Sequence, residues 1–542
     1  MALRPVTCCF LIALAVHAQT APKFEAADVR AIPPSTQWQS GPYLIAGRYE
    51  IKRASLLDLI GAAYGLDGDK ILGGPNWLEW DRYDVTAKLP EGSTPESRKV
   101  MLQELLAQRF ALTVHHDTRP MPAWALTAGK HAGLKEADPK GQPGCLAAPM
   151  QPRRVSSDGA VAPPTAQYTC RNMTMKSFAE ALPGFRFAIA IFNNQPVLDH
   201  TGLSGAWDFS VEYSPPVRGP ALNNSDYTSL FDSLGKQLGL KLEATTTPLP
   251  VLVVDSANRT PAPNPPDTAA KLGSAPTEFE VAEIKPAAPT GRAFPTIMNG
   301  EFLGSMANFK NGRLMLTSVT LLGLIATAWG IESQEGLAGA PKWVDSDRYD
   351  LIAKVPGEGP SSQDDFDVES VRPMLQRFLT DRFKLAVHFE DRPLNSFVLT
   401  ANKAKLQPAD PTRRTKCQDP PMTGDSKDPR VANPALSRLL RCQNITMAQF
   451  AEILPRQAGG YVRTPVQDAT GLDGAYDFTL SFSASGIVNG GARGRGADPT
   501  DPSGGLSLFD ALTRQLGLKL EAQKRPMPVL VIDHVEQKPA DH

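Results

Sequence analysis

At 542 residues the chain exceeds what one ordinary hydrophobic core serves, and a prior of roughly 100–200 residues per domain implies three or four folded units. Hydrophobic residues at 42% and charged residues at 21% are the balance of a folded chain and exclude wholesale disorder. Lys and Arg number 56 against 57 Asp and Glu, so a formal charge of -1 gives no global attraction for a polyanion, and nucleic acid is excluded as an expected partner.

The chain opens "MALRPVTCCFLIALAVHAQT". One Arg, an apolar run of about a dozen residues and Val16-His17-Ala18 form the pattern of a secretory signal peptide, residues 1–18, cleaved after Ala18. The run falls short of the ~20 residues that span a bilayer, and no later stretch is longer, so the mature chain is expected to lack a transmembrane segment and to be periplasmic or secreted. Cys8 and Cys9 precede most of the run, the wrong place for a lipoprotein cleavage site.

From Phe24 onward the chain says nearly everything twice. "SLLDLIGAAYG" (55–65) answers "TLLGLIATAWG" (320–330), "WLEWDRYDVTAK" (77–88) answers "WVDSDRYDLIAK" (343–354), and "QRFALTVHHDTRP" (108–120) answers "DRFKLAVHFEDRP" (381–393). "CRNMTMKSFAEALP" (170–183) pairs with "CQNITMAQFAEILP" (442–455), and "SLFDSLGKQLGLKLEA" (229–244) with "SLFDALTRQLGLKLEA" (507–522). The chain therefore reads as a tandem duplication, with a first copy at 24–255 and a second at 277–535. Between them, 256–276 is rich in Pro and Ala without apolar periodicity, which predicts an extended, exposed spacer.

A fainter repeat lies inside each copy. Each half reads helix, strand opening on aromatic-Asp, helix, strand, turn with Pro, strand. The expected fold is therefore α+β, four small α/β modules at about 24–130, 168–255, 277–403 and 442–535. Leu508, Leu512 and Leu516 make a helical stripe with Phe509, Ser507 and Asp510 a capping pattern, and Gly517 a stop. Val529-Leu530-Val531-Ile532 is continuous enough for a sheet interior. The polar stretches 131–168 and 404–441 read as surface connections between half-units, and 486–505 as a flexible insertion before the last helix.

Four cysteines remain after the signal: Cys145, Cys170, Cys417 and Cys442, each pair 25 apart (170 − 145 and 442 − 417). In an exported chain without CxxC spacing this predicts one disulfide per copy rather than a zinc site.

The repeated aromatic-Asp pairs are Tyr83-Asp84, Trp207-Asp208, Tyr349-Asp350 and Tyr476-Asp477. Four converging carboxylates would make a metal or acid/base site. One member in every module argues instead that the ring is buried and the Asp satisfies backbone N–H groups near a turn. Asp199-His-Thr-Gly and Asp468-Ala-Thr-Gly evoke aspartic proteases, but an extra residue separates Asp from Thr, and a Thr-Gly turn is expected. His115 and His388 follow alternating Phe-x-Leu-x-Val runs and are expected on exposed strand faces. With no HExxH or GxSxG, no catalytic, metal or cofactor residue is assigned.

The phrases "FEVAEIKP", "RYDLIAK", "DRFKLAVHFE", "DATGLDGAYDF", "SLFDALTRQLGLKLEA" and "PVLVID" closely resemble a family of uncharacterised, secreted, soil-associated proteins abundant in acidobacteria. The resemblance covers nearly all the mature chain, twice over, where members usually resemble one copy, and it carries no assigned activity. Some relatives resemble fusions to a membrane-bound antibiotic-sensing peptidase domain, which is missing from this sequence. The order of elements is more distantly similar to the short N-terminal domain of secretins and TonB-dependent receptors, a docking module. The expectation is a non-catalytic binding protein for a protein, peptide or glycan of the cell envelope. The alternatives are an extracytoplasmic hydrolase using the repeated Asp residues and a sensory ectodomain acting with a membrane partner.

Overall fold

A computed structural model of the chain describes residues 22–540, except 34–39, 130–133, 139–140, 150–164, 193–194, 215–227, 288–306, 311, 332, 358–367, 421–427, 434, 486–487 and 489–504. The proposed signal peptide and nearly all of the 486–505 insertion lie outside the described residues.

The fold is mixed α+β and built around four separate hydrophobic cores. In the first, a sheet ordered Ala26–Ile32, Arg82–Lys88, Arg48–Ser55, Ser40–Ile45 is antiparallel throughout and is backed by helices Leu56–Tyr64 and Pro95–Phe110. Ile51, Leu59, Leu106 and Phe110 are fully buried between them. The second core repeats the plan with strands Lys135–Glu136, Trp207–Tyr213, Ala166–Met173 and Gly144–Ala147. Both arrangements recur in the second copy, with Val281–Pro286, Arg348–Lys354, Arg313–Thr320 and Ala307–Lys310, then Gln407–Pro408, Ala475–Phe482, Arg438–Thr446 and Lys416–Gln418.

Local sequence dictates the helix ends. Ser55 caps Leu56–Tyr64 by accepting from the Asp58 N–H while Asp58 reaches back to the Ser55 N–H, and Gly65 closes the helix at φ 65°. Thr320 caps Leu321–Trp329 by accepting from the Gly323 N–H alone, and Gly330 closes it at φ 70°. The Ser507 cap and the Gly517 stop fall where their residue types place them, although the segment between widens from an α-turn into π-helix at Leu512–Leu516.

One expectation fails here, and a second needs an addition. No turn follows Arg119-Pro120 or Arg392-Pro393: Thr113–Ala128 and Ala386–Ala401 run straight through as single strands. They pair antiparallel along their length with Leu240–Ser256 and Leu518–His534, with Pro120 opposite Pro248 and Pro393 opposite Pro526. Pro lacks an N–H and is excluded from central strands, but among the described residues no third strand pairs mid-ribbon on either side, so each strand is an edge there and tolerates it. Short parallel strands flank only the ribbon ends, Ile71–Gly73 at one and Val197–Asp199 at the other. The ribbon also stitches the modules together, since Leu252 and Val254 enter the first core while Trp124 and Leu126 enter the second.

The spacer is mostly exposed, as its composition predicts, but it is also tethered. Residues 257–273 form a strap along the first module, ending in helix Thr268–Leu272. The Tyr83 hydroxyl donates to the Arg259 carbonyl at 2.7 Å, and Arg109, 9% exposed, donates to the Ala262, Pro263 and Ala27 carbonyls. The tail 535–540 repeats this on the second copy, through the Tyr349 hydroxyl to Gln537 O (2.9 Å) and Arg382 to the Ala540 and Ala282 carbonyls. Proline-rich composition signalled extension, but a buried guanidinium aimed at successive carbonyls fixes an extended chain as firmly as a strand ladder.

Candidate functional site

Each repeated Asp accepts a hydrogen bond from a backbone N–H of the neighbouring strand in its own sheet. The pairs are Asp84 with Arg53 N–H (2.8 Å), Asp208 with Asn172 (2.8 Å), Asp350 with Ser318 (2.7 Å) and Asp477 with Asn444 (2.7 Å). All four donors are left-handed, at φ 53°, 47°, 55° and 49°, and each sits where the ladder slips register. A bulge removes one N–H from the ladder, and the carboxylate restores its partner. Accepting that N–H lowers the Asp208 pKa, against a smaller upward push from burial. The four carboxylates thus serve four sheets and are not drawn to one another by any of these bonds. Of the rings, Tyr83 and Tyr349 are buried against Phe110 and Phe383 edge-on, at 4.9 and 5.4 Å. Trp207 and Tyr476 are only partly buried.

Asp199 accepts from both the N–H (2.9 Å) and the hydroxyl (2.7 Å) of Thr201, and Asp468 from the N–H of Thr470 (2.9 Å). These are Asx turns closing the short parallel strands. Cys145 lies opposite Cys170, and Cys417 opposite Cys442, on adjacent strands at disulfide distance.

His115 Nδ1 sits 2.9 Å from Asp255, and His388 Nδ1 2.9 Å from Asp533, on exposed ribbon faces. The Asp533 hydrogen bond raises the His388 pKa, with Glu390 adding to it. An imidazole held by carboxylate is half of a nucleophilic site, but the further contacts of the His388 pair are the charged ribbon residues Glu390 and, through it, Arg392. No cluster of three metal-ligating side chains occurs among the described residues. A cavity of 180 Å³ between Phe24, Met101, Arg109 and the strap residues Pro265 and Thr268 is smaller than the roughly 300–1,000 Å³ of small-molecule sites.

The residues that sequence reasoning missed join the copies. Arg414 spans to the first copy, donating to the Gly73 and Ile71 carbonyls at 2.9 Å and pairing with Glu79 at 3.1 Å. Beside it the Thr415 N–H donates to Asn76 O at 2.9 Å, and the Asn76 amide donates to Pro411 O at 3.0 Å. Trp80 packs on the last core. Glu452 faces Arg82 of the first copy and Arg456, and burial pushes its pKa up to about 7 although both cations pull it down. Arg456 in turn faces Arg82, Glu452 and Asp58. Arg109 and Arg382 carried one signal, a repeated Arg-Phe at a helix end. Arg414 carried none, because Gln142 stands at the matching position three residues before the first cysteine.

The family described as a protein of unknown function, DUF3738, matches residues 57–257 and 322–535, well over half of the chain. The chain belongs to the DUF3738 family. Each DUF3738 segment starts at the first helix of its copy and ends just beyond the ribbon, so the strands Ala26–Ile32 and Arg48–Ser55 lie outside it while pairing with its own Arg82–Lys88. Neither a curated protein nor a solved structure matches this DUF3738 tandem. No described helix is long and apolar enough to cross a membrane.

Proposed function

We propose that this DUF3738 tandem is a non-catalytic binding protein of the periplasm or cell exterior, recognising a protein, peptide or glycan of the envelope through sheet edges and faces. One observation carries the reading: each recurring carboxylate holds a backbone N–H of its own sheet, and Asp208 and Asp477 also pair with Arg171 and Arg413. A general base or metal ligand needs lone pairs directed at a substrate or ion. The N-terminal export pattern, the paired cysteines and the resemblance to secreted acidobacterial proteins support the location. The similarity in element order to the secretin docking domain agrees with a docking role, as analogy alone.

Crosslinking of the full chain in its native envelope, followed by identification of what is captured, tests this. A discrete partner is expected. Turnover of peptide, ester or peptidoglycan libraries by the purified chain, lost on Asp350→Asn while the fold persists, would establish the hydrolase instead.

A further inference from the structure

The two copies treat one sheet face in opposite ways. In the first copy the outer face is roofed by the strap helix Thr268–Leu272, so that Ala26 is 9%, Thr86 7% and Thr268 6% exposed. Asn264 occupies the open edge of strand Ala26–Ile32, accepting from the Val29 N–H at 3.0 Å and donating to its carbonyl at 3.4 Å. Arg48 closes the arrangement by donating to the Leu272 and Gly273 carbonyls at 3.0 and 3.2 Å.

In the second copy the same register positions carry Val281, Ile352 and Met315 in place of Ala26, Thr86 and Glu50. Val281 is 67% and Ile352 49% exposed. Arg313, the counterpart of Arg48, is exposed, and its guanidinium has no hydrogen bond or ion pair among the described residues. Solubility favours polar residues on an open face, yet at these three positions the open face is the more apolar of the two, beside the exposed ion pairs Lys285–Glu283 and Lys354–Glu280. A cluster of this kind marks an interaction surface.

We propose that the outer face and free edge of strand Val281–Pro286 dock a short helical segment of a partner protein, resembling the strap helix but with bulkier apolar side chains. The covered copy supplies the template: a polar residue pairs with the strand edge, one or two helical turns cover the face, and terminal carbonyls meet the arginine. Ile352, Val281 and Met315 ask for a larger apolar side chain than Thr268, the strap-helix residue that is buried, at 6% exposure. This rests on the binding reading above and specifies its surface.

The test uses the full mature chain and two fluorescein-labelled peptides, residues 262–274 as they stand and the same segment with Thr268→Leu, followed by fluorescence anisotropy. Saturable binding is expected, tighter for the leucine peptide, weakened by about tenfold or more in Ile352→Thr and in Arg313→Ala, and unchanged in Arg48→Ala. Ile352→Thr places in the second copy the residue the first already carries, so folding is preserved. Absence of saturable binding, or equal binding by Ile352→Thr, overturns the proposal, as does loss in Arg48→Ala, which would place the peptide on the first copy. Dimerisation that depends on Ile352 would show a second chain as the occupant, and protection of 281–286 that vanishes on deleting 288–306 would show the chain covering itself. Either also overturns it. If envelope crosslinking captures the same partner with wild type and Ile352→Thr, the binding reading stands and only this surface falls.

Discussion

A single carboxylate per module resolves why the chain repeats its aromatic-Asp phrase. Where a strand slips by one residue and turns left-handed, an N–H is stranded, and Asp84, Asp208, Asp350 and Asp477 each accept one. Replacing Asp350 with Ala leaves the Ser318 N–H without its acceptor, so unfolding should become easier by about 1–3 kcal/mol, read from denaturant titration. Part of this was legible, because a residue needed once per module is better explained by geometry than by chemistry. The left-handed partner was half-visible: Asn172 and Asn444 are of the type that tolerates positive φ, whereas Arg53 and Ser318 give no such sign. Glu452 supplies a second test at this scale. Its folded pKa of about 7 lies above its ordinary value of 4.5, so the native state holds a proton that the unfolded chain has released. Stability tied to this group is therefore greatest at low pH and declines as pH rises from about 4.5 to about 7. Thermal midpoints across that window should fall less for Glu452→Gln than for wild type, with Arg82, Arg456 and Asp58 the charged groups facing it.

Among elements, the ribbon and the strap were the least legible. Pro120, Pro122, Pro248 and Pro250 read locally as punctuation, and only the absence of a third strand makes them compatible with a continuous one. That is tertiary information, unavailable to periodicity. The strap's path depends on Arg109 and Arg382, whose neighbours mark only a helix ending. Arg382→Lys keeps the charge but loses the planar fork that reaches Ala540 and Ala282 together. Hydrogen exchange of 535–540 should accelerate in this variant while the ribbon strand Leu518–His534 keeps its protection. The cysteine pairs were legible from spacing alone, since both fall 25 residues apart. Opening one by Cys417→Ser with Cys442→Ser should lower stability by on the order of 3 kcal/mol, the loop-closure value for a loop of this length, measured under oxidising conditions.

For the whole molecule, the duplication is visible in sequence and the junction between copies is not. Alignment finds what the copies share, while Arg414 matters because the first copy has Gln142 in its place. Arg414→Gln should loosen the seam, giving a larger radius of gyration by small-angle scattering with little change in secondary structure. Two copies of one scaffold with different surface residues can present two surfaces on one chain. The central claim is that the recurring carboxylates each hold one bulge of their own sheet. Amide hydrogen exchange at Arg53, Asn172, Ser318 and Asn444, in wild type and in the four single Asp→Ala variants, tests it directly. The account predicts four protected amides in wild type and, in each variant, faster exchange at the one amide its own Asp accepts. Unprotected amides in wild type, or one variant disturbing all four positions alike, would contradict it.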